Sequence, residues 1–182
     1  EAFGREHPNA VLSRLNVASA LLELERMDDA VVMFRDVITL ADRVVGPASI
    51  YAANAQNGIA QAWRDLHPKE ALVAAEEALR LFRALEGEAH ADVGRAHDTI
   101  GKILRSLGRR AEATQAFERA IAIREAAFGA DHPDVAESRY SLAIELYRRG
   151  DRANARTLAS AARDVFAKIG DSITESGSFL SD

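Results

Sequence analysis

Between Ala113 and Ile121 the apolar and small residues are Ala113, Ala116, Phe117, Ala120 and Ile121. That is the i, i+3, i+4, i+7, i+8 spacing of a helix with one buried stripe. Ala155, Leu158, Ala159, Ala162 and Phe166 carry the stripe again. Read along the chain, the spacing predicts eight helices in four pairs. The first pair runs from Pro8 to Glu23 and from Asp28 to Val44, and the second from Ser49 to Asp65 and from Pro68 to Leu85. The third runs from Asp92 to Leu107 and from Arg110 to Ala127, and the fourth from Pro133 to Arg149 and from Arg152 to Ile169. Gly4, Gly46, Gly87 and Gly129 stand where one pair gives way to the next and are expected to end helices in the left-handed conformation. Pro8 and Pro133 suit a first helical position, where no N–H is needed, with His132 or Asp131 as the cap. The inner turns carry Gly108 and Gly150; in the second pair the turn is Leu66-His67-Pro68, one residue shorter.

The pairs are copies of one another. Gly87, His90, Asp92 and Val93 recur 42 positions on as Gly129, His132, Asp134 and Val135, and Gly108, Ala113 and Ala120 recur as Gly150, Ala155 and Ala162. Phe3-Gly4 and His7-Pro8 repeat Phe128-Gly129 and His132-Pro133. Small residues hold fixed places: Ala18, Ala60, Gly101 and Ala143 in the first helices, and Ala30, Ala71, Ala113 and Ala155 in the second. Bulky ones fill between them: Leu21, Trp63, Leu104 and Leu146, with Phe34 and Phe117 opposite, so Trp63 reads as a packing residue. A period of this length marks a solenoid, whose units cannot bury their apolar faces alone and must stack.

Gly101-x-x-Leu104 followed by Ala113-x-x-x-Phe117-x-x-Ala120, and Ala143-x-x-Leu146 followed by Ala155 and Ala162, resemble the tetratricopeptide repeat (TPR). The long period and the connector within FGADHPDVAESRYSLAIELYRRGDRANA (residues 128–155) resemble the 42-residue subclass found in kinesin light chains and bacterial TPR arrays. The resemblance covers about Phe3 to Gly170, with Gly46-Pro47-Ala48-Ser49 the main departure. It implies an all-α, right-handed α-solenoid of about four helix-turn-helix repeats, at about 8–46, 47–87, 88–129 and 130–170. Residues 1–7 then read as the end of a preceding repeat and its connector, so the chain is expected to be part of a longer protein. Residues 171–182 read as a tail or as a short cap helix opening at Ser172, with Ile173, Phe179 and Leu180 covering the last repeat.

Composition narrows the functional classes. The 182 residues are 48% hydrophobic and 28% charged, with 4 Pro and 11 Gly, as suits one ordinary soluble domain or one repeat array. There is no cysteine, hence no disulfide framework and no thiolate chemistry. The net charge of −5 disfavours nucleic acid and anionic membrane as partners. No apolar run approaches the ~20 residues that span a bilayer, and no signal peptide opens the sequence. A cytoplasmic location is the expectation.

In this family the first helix of each pair lines the concave side. Carried over by resemblance, the first repeat offers Leu12, Leu15, Asn16, Ser19 and Leu22 to the groove, and the second offers Asn54, Asn57, Gln61, Arg64 and Asp65. The third offers Arg95, Asp98, Lys102 and Arg105, and the fourth offers Glu137, Tyr140, Ser141, Ile144, Tyr147 and Arg148. The candidate peptide-binding residues are Asn16, Asn54, Asn57, Gln61, Arg64, Arg95, Lys102, Arg105, Tyr140 and Tyr147. Amides both donate to and accept from a peptide backbone, guanidinium groups fork onto carboxylates, and tyrosine gives contact area at low entropic cost. The reading is a protein-interaction module for an extended peptide, acidic in its sharper form, bound at about micromolar affinity, or ~−8 kcal/mol. Charge reversal at Arg64 and Arg105 is then expected to abolish acidic-peptide binding with helicity intact. The second reading is a structural or self-associating (homo-oligomerising) segment of a larger signalling protein.

No enzyme is expected. The sequence has no phosphate-binding glycine loop, no nucleophile elbow and no HExxH. His90-Ala-Asp92 and His97-Asp98 attract attention as metal ligands, but residues adjacent on a helix do not share a face, and His7, His90 and His132 recur with the connector, which points to capping or packing. Neither metal nor cofactor is expected.

Overall fold

The computed structural model describes the backbone over residues 7–178 and side chains over residues 7–170. Eight helices and no strand lie within the described residues: α1 (Pro8–Glu23), α2 (Met27–Val45), α3 (Ile50–Trp63), α4 (Pro68–Glu86), α5 (Ala91–Ser106), α6 (Arg110–Phe128), α7 (Pro133–Arg149) and α8 (Arg152–Ser178). Their ends sit where the chain offers partners for the orphan helix-terminal groups. His7, His90 and His132 each cap a first helix, the ring Nδ1 accepting the backbone N–H of Asn9 at 3.1 Å, Asp92 at 3.3 Å and Asp134 at 3.2 Å. In the divergent connector Ser49 takes over, its Oγ accepting the N–H of Ala52 at 3.2 Å. The recurring histidines are caps.

The glycines differ from expectation in one respect. Gly150 closes α7 in the left-handed region, at φ 97° and ψ −3°. Gly129, at φ 84° and ψ 163°, combines a positive φ with an extended ψ. That region is open essentially to glycine alone, and it turns the chain out of the helix rather than adding a left-handed cap. Gly46 and Gly87 adopt the same conformation; Gly4 lies outside the described residues.

Each helix packs on its neighbours in sequence, and α1 packs also on α3, and α3 on α5. The molecule is therefore a helical solenoid whose first helices form one layer and whose second helices form the other. Phe34, Phe82 and Phe117 are fully buried between the layers. Close approach is set by glycine: a Cβ on Gly101 would come within 2.6 Å of the Phe117 ring, and one on Gly58 within 2.2 Å of the Phe34 ring. Thus in α3 the tight position against the phenylalanine is Gly58, although Ala60 is also fully buried. Trp63 is only partly in the core; Arg35 lies over its ring at 4.9 Å and His67 meets it edge-on at 5.8 Å.

One apolar cluster runs through the first three pairs and ends at Leu142. A second, small one unites Ala136, Ala162 and Val165, with Ile169 against it. The backbone of α8 continues to Ser178 with no interruption at Ser172. The covering role expected of Ile173, Phe179 and Leu180 lies outside the described residues.

Candidate functional site

The first helices place most of the predicted groove residues around three cavities. A cavity of about 500 Å³ lies between α1, α3 and α5, and Asn16, Asn54, Asn57, Gln61 and Arg95 all line it, with Leu15, Ser19 and Leu22. Two of its amides differ in kind. The Asn54 Nδ2 donates to the Ile50 carbonyl at 2.8 Å, and its Oδ1 accepts from Arg95 Nη2 at 2.6 Å, so this side chain serves the scaffold. Asn57 is 1% exposed, and its Oδ1 is buried with no hydrogen-bond partner. An acceptor withdrawn from water and left unpaired costs about 1–3 kcal/mol. Asn57 lines the cavity, but this oxygen has almost no accessible surface, so a donor there reaches it only when the amide turns toward the space.

A second cavity of about 210 Å³ shares Gln61 and Arg95 with the first and adds Arg64, Lys102, Asp98 and Glu137. The predicted cations gather here, each with an acid already in place. Arg64 Nη2 meets Asp65 Oδ2 at 2.8 Å. Arg95 Nη2 meets Asp92 Oδ1 at 2.7 Å. Lys102 Nζ bridges Asp98 Oδ2 at 2.8 Å and Glu137 Oε1 at 2.5 Å. The hydrogen bond from Arg64 holds the Asp65 carboxyl below the usual range against a smaller opposing effect of burial. Burial works against the charge on Lys102, but Asp98 and Glu137 outweigh it and raise its pKa.

Tyr140 and Tyr147 stand apart from these amides, at an apolar cavity of about 420 Å³ between α7 and α8, with Arg148, Arg152 and Arg156 at its margin. Arg105 lines none of the three. It bridges α5 to α7, with Nη2 donating to the Ser141 carbonyl at 2.9 Å and Nε at 2.7 Å from Glu145 Oε1. Its guanidinium carbon lies 5.0 Å from the centre of the Phe117 ring. Glu145 is 2% exposed and neither of its oxygens makes a directional hydrogen bond, so Arg105 is the charge that neutralises it.

Beneath the cations runs a buried polar seam of which the sequence reading had only Asp98. Asp98 is 2% exposed, and its Oδ1 accepts from Ser138 Oγ at 3.0 Å. Arg124 Nη1 donates to Ser138 Oγ at 2.7 Å and to the Asp134 carbonyl at 2.8 Å. Asp98 is thus a partner of the inter-repeat seam at the edge of the cavity. Arg124, Ser138 and Glu145 were missed. Arg124 carried a signal: four residues beyond Ala120 it continues the apolar stripe of α6 with a charge.

Glu86, His90 and Asp92 bring one ligand atom each within 4.8 Å of one another. Two of the three have other duties, since the His90 Nδ1 caps α5 and Asp92 is held by Arg95. Among the described residues His97 and Asp98 serve different partners, His97 meeting Arg83 and Asp98 meeting Ser138 and Lys102.

The tetratricopeptide repeat family matches residues 9–84, 51–126 and 92–168, which together span most of the chain. No curated protein sequence matches at a significant level. Among solved structures, BtubC (BKLC) from P. vanneervenii superposes with a TM-score of 0.75 at 23% identity, covering 88% of this chain and 64% of its own. A kinesin light chain-type protein of Podosopora anserina with nearly identical TPR-like repeats gives 0.68 at 20% identity, covering 93% and 81%. A Rap protein complexed with Competence and Sporulation Factor gives 0.79 at 19% identity, covering 90% of this chain and 44% of the Rap protein. The chain thus spans under two thirds of the length of BtubC and under half of that of the Rap protein. At these identities the likeness is one of fold. The family match, the helix pairs and the glycine-to-phenylalanine packing agree, and the chain belongs to the tetratricopeptide repeat family.

Proposed function

We propose that the array is a protein-interaction module that binds an extended peptide along its first helices, with the backbone of the peptide read by amide side chains. The observation that carries this is Asn57: a buried, unpartnered acceptor on a residue that lines a cavity of about 500 Å³ with Asn16 and Gln61. Once the Asn57 amide turns toward the cavity, a peptide N–H supplies the missing donor, and burial makes that bond worth more than it would be in water. Tyr140 and Tyr147 offer a second, apolar contact further along. The Rap neighbour holds a factor in its structure, which fits this use of the fold.

The charge preference of the groove is narrower than its composition suggests. Arg64, Arg95 and Lys102 are already paired. An acidic peptide side chain gains most at Arg64, whose partner Asp65 is exposed and is released to water at low cost. The preferred ligand is therefore an extended segment with acidic character at one position rather than a run of acids.

Asn57→Leu tests the reading. A library of immobilised peptides of about 12 residues, covering random sequences, is probed with the native array and with the variant. The expected result is a set of peptides held by the native array and lost at least tenfold by the variant, with the melting temperature kept or raised, because an unpaired polar group has been removed. Equal capture by both proteins overturns the proposal.

A further inference from the structure

On the other layer, a cavity of about 510 Å³ opens between the end of α4, α5 and α6, lined by Arg83, Glu88, His97, Arg119 and the apolar wall of Ala122 and Ile123. It shares no residue with the groove described above. His97 is 4% exposed, and its Nε2 lies 3.3 Å from Arg83 Nη2, so the ring nitrogen accepts from the guanidinium. Arg83 Nε pairs at 2.6 Å with Glu88, which lies exposed at the rim. Arg119 makes no ion pair among the described residues. The charged groups facing the ring are Arg83 from α4, Glu88 from the connector and Arg119 from α6.

The repeat supplies the comparison. One unit further on, the positions of Arg83, His97 and Arg119 are held by Glu125, Arg139 and Ala161. There Glu125 and Arg139 form an ion pair at 2.6 Å, and Arg139 Nη1 also donates to the Ala130 carbonyl at 2.9 Å, so that niche neutralises itself. One unit back they are held by Asp42, Gln56 and Glu77, and Gln56 and Glu77 line a cavity of their own. Of the three, the middle niche alone holds two basic side chains at these positions, whereas Arg35 one unit back shares its cavity with Glu70 and Glu77; Glu88 offsets one of the two positive charges. The balance is one positive charge beside an aliphatic wall.

We propose that this niche binds a carboxylate attached to a short aliphatic body, the carboxylate between Arg83 and Arg119 and the aliphatic part against Ala122 and Ile123. A monoanion matches the single uncompensated charge, whereas a phosphate dianion overfills it beside Glu88. The carboxylate belongs to a free organic acid or to the C-terminus of a peptide, since both present the same group on the same kind of body. With its anion in place the niche also favours protonation of His97, which burial, together with Arg83 and Arg119, holds neutral down to about pH 4.

The test follows the His97 ring signal by NMR through titrations with hexanoate, hexanamide, inorganic phosphate and N-acetyl-alanyl-leucine. The expected result is a saturable shift with hexanoate, none with hexanamide, and a His97 titration midpoint that moves upward at saturation. Binding falls at least tenfold in Arg119→Gln, an exposed site whose loss leaves the fold intact, and Arg119→Lys restores part of it. A stronger response to N-acetyl-alanyl-leucine than to hexanoate supports the site and assigns it to a chain terminus. Equal responses to hexanamide, a preference for phosphate, no saturable shift, or unchanged binding in Arg119→Gln overturns the proposal.

Discussion

Two arginines of one sequence pattern, Arg64 and Arg105, have opposite roles once they are in place. Arg64 faces the exposed Asp65, and an exposed ion pair contributes about 0–1 kcal/mol. Arg105 faces Glu145, whose side chain is 1% exposed, and removing one partner of a buried pair typically costs about 3–5 kcal/mol. Arg64→Glu is therefore expected to leave the melting temperature nearly unchanged, while Arg105→Glu, setting a second carboxylate against the first, unfolds the last helix pair; circular dichroism melts of the two variants make the comparison. The buried Arg105–Glu145 pair argues against the expectation that both reversals spare helicity, because spacing along one helix does not reveal what a side chain meets across an interface. The sequence does set Asp65, Asp98 and Glu137 near the groove's arginines as possible partners, but that Glu137 goes to Lys102, 35 residues away, was not legible for the same reason. His97 is a third case. Its folded pKa of about 4 lies below the ordinary value of 6.5, so the unfolded chain binds the extra proton between those limits. Its contribution is complete above about pH 6.5 and is lost as pH falls toward 4, amounting to roughly 3 kcal/mol at most. His97→Gln, which copies the Gln56 found one unit back, is expected to flatten the fall in stability between pH 7 and pH 4.5, as read from urea midpoints.

At the scale of the element, the sequence carried most of the structure. The stripe period placed all eight helices, and Pro8, Pro133 and the connector histidines marked starts that the structure keeps. These signals are local, and local signals survive without knowledge of tertiary contacts. The helix-to-helix docking was legible only in part. The small-to-large pairing of Gly101 with Phe117 is a repeat feature and could be read, whereas Gly58 against Phe34 joins two different units and could not. Both give the same physical prediction. In Gly101→Ala the new Cβ meets a fully buried ring at 2.6 Å, so helix α5 must withdraw. Overpacking of this kind costs about 1–3 kcal/mol. Gly101→Ala is expected to lower the melting temperature, and adding Phe117→Leu should restore much of the loss, a coupling that a double-mutant cycle measures directly.

At the scale of the whole molecule the array is uneven. Stability in a stacked array is close to a sum of unit terms and nearest-neighbour terms, so a weak junction shows as local rather than global unfolding. The main apolar cluster fills the first three pairs and reaches the last through Leu142, with Leu146 and Leu158 against it, whereas Ala136, Ala162 and Val165 form a small separate one. What ties α7 to α5 is largely polar: Asp98 to Ser138, Lys102 to Glu137, and Arg105 to Glu145. Polar ties are directional and fix the angle between units, but each offsets a desolvation cost that apolar contacts do not carry. The same seam separates the amide-lined cavity from the tyrosine-lined one, so its rigidity governs whether one peptide can reach both. Hydrogen exchange provides the measurement. Amides of α7 and α8 are expected to exchange through a lower-energy opening than those of α3 and α4, and Arg105→Gln should lower that opening further while leaving α1 to α4 unchanged. Uniform protection from α1 to α8, or an effect of Arg105→Gln spread over every helix, would mean that the array opens as a single cooperative block and that the polar seam is no weaker than the apolar core.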